Sequence, residues 1–431
     1  MQEGRKRTVA ELLIRGGRVI DPAQGLDRKA DVLIENGRIA AVGRVMKKAK
    51  TLDARGLIVA PGLIDLHVHF REPGNEREET IASGAAAAVA GGFTTVAAMP
   101  NTDPPVDDEP SVAFQLRQAQ AAGLARVLVV GAISAGRKGE RLAEMGQMAR
   151  AGAVAFSDDG DGVQNPRLMR TALQYAAMLG KPLIAHCEDK ALAGGVMHAG
   201  LWSVKLGLGG TPAAAEEVMV ARDLILTEAT VGARLHVTHA STAGTVRLIR
   251  DAKARGVPVT ADVALHHLVL TDEVVQSFDT NLKMNPPLRS DADVAALRAA
   301  LADGTLDCLV SDHAPHAPEK KAVEFKAAPF GVIGLESMLP VLVTKLIEPG
   351  ILTWPQALAA LTCNPARVLD LEAGTLEVGR PADITLIDPK AEWTIDAAAF
   401  RSQSRNCPFH GWKVRGRAAA TIVGGAVKFQ A

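Results

Sequence analysis

The sequence predicts an α/β chain: a (β/α)8 barrel set between two β-rich ends. Three observations carry this. Eight short apolar runs recur through the middle of the 431 residues, alanine-rich stretches of helical character separate them, and hairpin signals crowd both ends.

Taken in order, the runs are LIDLHVHF (63–70), TTVAAM (94–99), RVLVVGA (126–132), AVAFS (153–157), PLIAH (182–186), RLHVTH (234–239), VPVTADV (257–263) and LDCLVS (306–311). Continuous rather than alternating apolar character suits strands buried on both faces of a parallel sheet. The segments between them, such as EETIASGAAAAVAGG and PAAAEEVMVARDLILTEA, suit crossover helices. Eight such units within about 250 residues match the size of a barrel. A doubly wound sheet is the competing architecture, but no G-x-G-x-x-G follows the first run. Before the barrel, LLIRGGRVI is expected to turn at Gly16-Gly17 and DVLIENGRIAAVG at Asn36-Gly37, where positive φ is cheap. After it, GTLEVGRPADITLID and ATIVGGAVKF have the same texture, with a turn expected at Gly424-Gly425.

Composition narrows the function. Forty-eight basic residues balance 48 acidic ones, so there is no basic footprint for nucleic acid or an anionic membrane. Aromatic residues make up 3% of the chain, too few for base-stacking platforms. At 48% hydrophobic and 22% charged, the chain has ample core and is not a disordered polymer. The start, MQEGRKRTVAELLIRGGRV, lacks the apolar core of a secretory signal, and no run reaches the length of a spanning helix. Cys187, Cys308, Cys363 and Cys407 are scattered and form no C-x-x-C pair. A reducing cytoplasm is therefore the expected setting.

The chemistry lies at the ends of the runs. His67 and His69 stand two apart, on one face of a strand, where both imidazoles can grip one ion. Later runs end in Asp158-Asp159, His186, His239 and Asp312, and strand C-termini are where barrel enzymes place their catalytic groups. Singly, each reads as a hydrogen-bonded polar residue at a strand exit. Jointly, four imidazoles and two carboxylates form a nitrogen and oxygen set that suits zinc, with manganese or cobalt as alternatives, and suffice for two ions sharing a bridge.

With these motifs the chain resembles the bacterial type I dihydroorotases of the amidohydrolase superfamily. The resemblance runs through GLIVAPGLIDLHVHFREPG (56–74), MPNTDPPVDD (99–108), AFSDDG (155–160), IAHCED (184–189), HVTHAST (236–242), KMNPPLR (283–289), SDHAPH (311–316) and GLE (334–336). It implies that residues 1–60 and 372–431 join into a small β-sandwich beside a metal-dependent barrel at 61–371. It also implies that His67, His69 and Asp312 hold one metal, that His186 and His239 hold a second, and that Asp159 bridges them. Many relatives bridge with a carboxylated lysine, but no lysine lies between Lys138 and Lys181. Asp158 competes for the bridge on physical grounds, since adjacent strand residues face opposite ways; the family pattern favours Asp159.

The implied reaction interconverts N-carbamoyl-L-aspartate and L-dihydroorotate in pyrimidine synthesis, with two divalent ions, zinc first, and Asp312 as base and acid in turn. Arg71, Asn101, Asn285 and His316 are the implied substrate contacts. Arg71 reads equally as a solvated loop arginine, Asn285 as a turn residue before Pro286-Pro287, and His313 and His316 as loop-stabilising residues. Leu265 replaces the proline usual before the double histidine, and His266 and His267 are assigned no role. Cys187, Cys308, His198, His236 and His410 are read as structural. Alternative readings are a hydantoinase, dihydropyrimidinase or allantoinase, and a scaffold subunit of aspartate transcarbamoylase. Expected partners are the small-molecule substrate, another copy of the chain, and that transcarbamoylase, with no nucleic acid and no membrane.

Overall fold

A computed structural model describes residues 11–431. The first ten residues, which include most of the basic start and the beginning of the expected 1–60 segment, lie outside the described residues. Among the described residues, eight parallel strands follow one another in chain order around a barrel: Leu63–Val68, Phe93–Ala98, Arg126–Gly131, Ala155–Phe156, Leu183–Ala185, Leu235–Val237, Val259–Ala264 and Cys308–Val310. Each falls within or overlaps one of the eight apolar runs. A parallel bridge between Val68 and His313 joins the last strand to the first. The buried Asp65 carboxylate ties the same seam, accepting the N–H groups of His67 and Ser311. Every residue of Leu63–Val68 and Phe93–Ala98 is buried, which is why these runs read as continuous.

Ile64, Leu66, Ala97, Met99, Val130, Ile184 and Val310 share the inner core, closed at one end by Ala366, Val368 and Leu369. Pairing of the first two strands slips between Asp65 and Val68. There the first strand passes from filling the barrel with Ile64 and Leu66 to presenting His67 and His69 at its mouth, the re-aiming that bulges produce.

Alanine and glycine let the crossover helices pack closely. The helix Ile81–Gly91 starts on a Thr80/Ser83 capping box and ends at Gly92 with φ 97°. A Cβ on Gly91 would run into the carbonyl of Leu335 on the neighbouring helix. Capping boxes at Asp108/Ser111 and Ser290/Asp293 begin the helices Glu109–Ala122 and Asp291–Asp303 in the same way. No described helix is long and apolar enough to cross a membrane.

The flanking strands form a separate eight-stranded sheet drawn from Leu12–Pro61 and Ile384–Gln430. Its two halves meet where Ile58–Pro61 pairs antiparallel with Ile384–Thr394. The Asn36-Gly37 and Gly424-Gly425 turns form, with φ between 51° and 79°. Gly16-Gly17 does not turn. Leu12–Asp21 runs straight through it as one strand with a bulge between Ile14 and Gly17. Gly16 takes the expected positive φ, 77°, but its N–H is held by Asp31 across the sheet, so the glycine pair kinks the strand without reversing it. Between two strands of this sheet, residues 401–406 return to the barrel mouth, so the C-terminal part of the chain also touches the loops above the strands.

Candidate metal centre

The six residues singled out at strand ends converge. His67 is the penultimate residue of the first strand and His69 directly follows it. His186 directly follows Leu183–Ala185, His239 lies two residues past Leu235–Val237, Asp312 two past Cys308–Val310, and Asp159 three past Ala155–Phe156. All six are buried. His239 and Asp312 take left-handed backbone, φ 38° and 48°, as does Arg71 at 52°. Such conformations are costly for residues with a Cβ and persist where surrounding structure imposes them, as at functional sites.

Asp159 is the hub. Its Oδ1 lies 3.3 Å from His67 Nε2, 3.6 Å from His186 Nδ1 and 3.5 Å from His239 Nε2, and its Oδ2 lies 3.6 Å from His69 Nε2. Asp312 Oδ1 lies 3.2 Å from His69 Nε2 and 3.6 Å from His67 Nε2. Two overlapping groups therefore have ligand atoms close enough for an ion: His67, Asp159 and His239, and His67, His69 and Asp312. Asp158 points elsewhere, accepting the N–H groups of Ile133 and Ser134 and the Ser134 hydroxyl.

The electrostatics favour a cation. Burial opposes ionisation of Asp159, yet the charge on His67 and the close imidazoles of His186 and His239 hold its carboxyl well below the usual range. Burial also pulls His67 down, but Asp159 and Asp312 outweigh it and raise its pKa to about 10. His67 Nε2 and Asp159 Oδ1 are buried without a hydrogen-bond partner. Polar atoms buried without partners are expensive, and a divalent ion between them would satisfy both. The residues present fit a metal.

A second layer aims these ligands. His67 Nδ1 donates to Thr238 Oγ1 (2.7 Å), whose hydroxyl donates to Asp262. Asp262 also accepts the His239 backbone N–H (2.5 Å) and a hydrogen bond from His236 Nε2 (2.8 Å). His69 Nδ1 donates to Asn101 Oδ1 at 2.7 Å. With Nδ1 so engaged, His67 and His69 each turn Nε2 toward the centre, the atom that would bind a metal. None of the support from Thr238 and Asp262 follows from the motif spacing. Its visible trace is Asp262 itself, a charge inside the apolar run VPVTADV, which needs a buried partner.

Above the cluster is a cavity of about 200 Å3 bounded by His69, Arg71, Asn101, Asp159, Gly160, His186, His239, Asn285, Asp312, Ala314, His316, Phe330 and Gly331. It gathers all four expected substrate contacts. Arg71 Nε donates to Pro315 O at 3.1 Å, and the nearest carboxylate to Arg71, Glu78, is 3.8 Å away. His316 is more committed than its motif implies: Nε2 donates to Phe330 O at 2.7 Å, and Nδ1 lies 3.2 Å from Glu78 Oε2. Glu78, which no motif in the sequence marks, also pairs with Lys320; against the effect of burial, His316 and Lys320 bring its pKa to about 2. His267 Nε2 donates to Pro286 O at 2.9 Å and so holds the turn that carries Asn285, while His313 lies between Glu79 and the Gly334 N–H. Cys187 and Cys308 are buried and unpaired by disulfide.

Over 97% of its length this chain is 56% identical to a dihydroorotase from Pelotomaculum thermopropionicum, covering 99% of that protein. The chain belongs to the dihydroorotase family. A dihydroorotase from Geobacter sp. (strain M21) is 51% identical over 97% of this chain and 99% of its own. The family model described as Dihydro-orotase-like matches residues 56–245, a stretch that includes His67, His69, Asp159, His186 and His239. Among solved structures, the L-hydantoinase (dihydropyrimidinase) from Arthrobacter aurescens superposes with a TM-score of 0.87 at 27% identity, covering 97% of this chain and 96% of that one. Family membership makes the chain a metal-dependent hydrolase of the amidohydrolase superfamily, and its His and Asp cluster has the ligand atoms to hold a metal ion.

Proposed function

We propose that the chain is a two-metal dihydroorotase that interconverts L-dihydroorotate and N-carbamoyl-L-aspartate. One observation carries the reading: a single buried carboxylate, Asp159, faces four imidazoles from three strand ends, with Oδ2 toward His69 and Oδ1 toward His67, His186 and His239. A carboxylate shared among imidazoles from several strand ends supports its role as a bridge between two ions. His67, His69 and Asp312 would hold one ion, and His186 and His239 the other. Zinc suits the set best.

When bound, such ions lower the pKa of a water toward neutrality and polarise a carbonyl. The remaining work falls to the chain. Arg71 directs its Nη groups at the substrate carboxylate while Pro315 O holds its Nε, and Asn101, Asn285 and His316 orient the ring. In hydrolysis a water oxygen bonds to the ring carbonyl carbon and the C–N bond breaks. Asp312 takes the proton from that water and delivers it to the departing nitrogen. Closure runs the same path backwards.

The fold is shared with a hydantoinase, whose ring is neutral. Against that alternative, Arg71 stands ready for an anion, and no lysine borders the described cavity. Assaying dihydroorotate, hydantoin and dihydrouracil side by side on one preparation decides the matter. Dihydroorotate should be turned over at least about a hundred-fold faster, the discrimination a site built for a buried charged group achieves; preference for hydantoin would overturn the reading. Four free cysteines fit a reducing cytoplasm. Association with a second copy, or with aspartate transcarbamoylase, belongs to the same reading, tested by sizing the purified protein alone and mixed with that enzyme.

A further inference from the structure

The loop from His313 to Ile333 forms one wall of the cavity through Ala314, His316, Phe330 and Gly331. Its two arms are joined by a residue far away in sequence. Asn406, 4% exposed, donates through Nδ2 to Ala314 O at 3.0 Å on one arm and to Gly331 O at 3.1 Å on the other. Its Oδ1 accepts the His316 N–H at 3.2 Å, and its main-chain carbonyl accepts the Ile333 N–H at 3.0 Å. Two donors and one acceptor on one short planar group are what a carboxamide offers. An aspartate of the same shape would place a carboxylate against two carbonyls.

We infer that Asn406 is a positioning residue for substrate binding, acting through Arg71 and His316. This rests on the proposed roles of those two residues. By fixing the backbone at 314–316, Asn406 sets where Pro315 O meets Arg71 Nε and where His316 Nε2 meets Phe330 O. The ligand end of the loop is anchored separately: His313 N–H donates to Ser311 Oγ, and His313 O accepts the His69 N–H. Loosening Asn406 therefore releases the carboxylate pocket and leaves Asp312 held.

The test uses the metal-loaded full chain and the variants Asn406→Ala, Asn406→Asp and, as a control, Asn364→Ala. Asn364 makes a comparable bond, Nδ2 to Asp307 O at 2.7 Å, near the start of the last barrel strand. Both Asn406 variants should raise KM for dihydroorotate about ten-fold or more, with kcat within about three-fold of wild type and metal content unchanged, the signature of lost ground-state binding. Hydrogen exchange should quicken in peptides spanning 313–333 and not in those spanning 64–71. The control should leave KM and both peptides as in wild type. Unchanged KM and exchange in folded Asn406 variants, a loss confined to kcat, or an equal KM rise in the control would each overturn the proposal. Should neither Asn406 variant fold, wild-type exchange decides: His316 and Ile333 amides should be as protected as barrel strands, and loop-like exchange would overturn it. The exchange measurement does not depend on the substrate, so a wild-type protein inactive on dihydroorotate would sink the functional reading while the positioning of the loop was still read out.

Discussion

His67 Nδ1 lies 2.7 Å from Thr238 Oγ1, and this contact turns the other ring nitrogen, Nε2, toward both Asp159 and Asp312. Thr238 in turn is fixed by Asp262, so a hydroxyl on the sixth strand's end sets the aim of a ligand on the first. Replacing Thr238 with Val keeps the shape and removes the acceptor. Metal affinity, measured by competition with a chelator, should fall about 10- to 100-fold, the usual effect of losing such a partner. Unchanged affinity would show that His67 needs no such support.

Arg71 is the fork for the substrate carboxylate. Changing it to Met should mainly raise KM, equivalent to about 2–5 kcal/mol if the ion pair is desolvated, and steady-state kinetics on dihydroorotate read this directly. A KM equal to wild type would remove Arg71 from the binding pocket.

Much of the architecture was legible because barrel strands, buried on both faces, write themselves as continuous apolar runs, and because ligands such as His67, His69 and Asp312 sit at or just beyond their ends. What escaped the sequence depends on neighbours across the fold. Gly16-Gly17 signals positive φ but not whether the chain reverses, and cross-strand pairing decided for a bulge. Thr238 and Asp262 act across adjacent strands, and Asn406 reaches a loop about 90 residues earlier in the chain. Spacing within a motif carries no record of such contacts.

Lys321 is buried in the loop that walls the cavity, its ammonium donating to Pro329 O (3.0 Å) and Gly331 O (2.9 Å). Burial first, and Lys283 second, bring its pKa from 10.5 down to about 7, against a smaller pull from Asp279. The unfolded chain keeps that proton up to about pH 10.5, so between pH 7 and 10.5 it binds more protons than the folded chain, and this group makes stability rise with pH. Below pH 7 its full cost is present. Denaturant melts of wild type and Lys321→Met across that range should show the variant's relative advantage shrinking as pH rises; a difference independent of pH would contradict the assignment.

Asp312 is placed to shuttle the proton in both directions. Asp312→Asn should abolish hydrolysis and closure together while the protein folds and keeps at least the ion at His186 and His239. Near wild-type rates with metals bound would hand the proton to another group, with His316 the next candidate.

A two-metal centre bridged by Asp159 makes metal content and dihydroorotate hydrolysis rise together, and both can be measured on one preparation. Elemental analysis of the apoprotein reconstituted with zinc, without bicarbonate, should find two ions per chain with activity rising to full value as both sites fill. Asp159→Ala should lose at least one ion and the activity with it. Full activity at one ion per chain, a strict requirement for bicarbonate, or an Asp159→Ala protein that keeps two ions and wild-type rates would contradict the account.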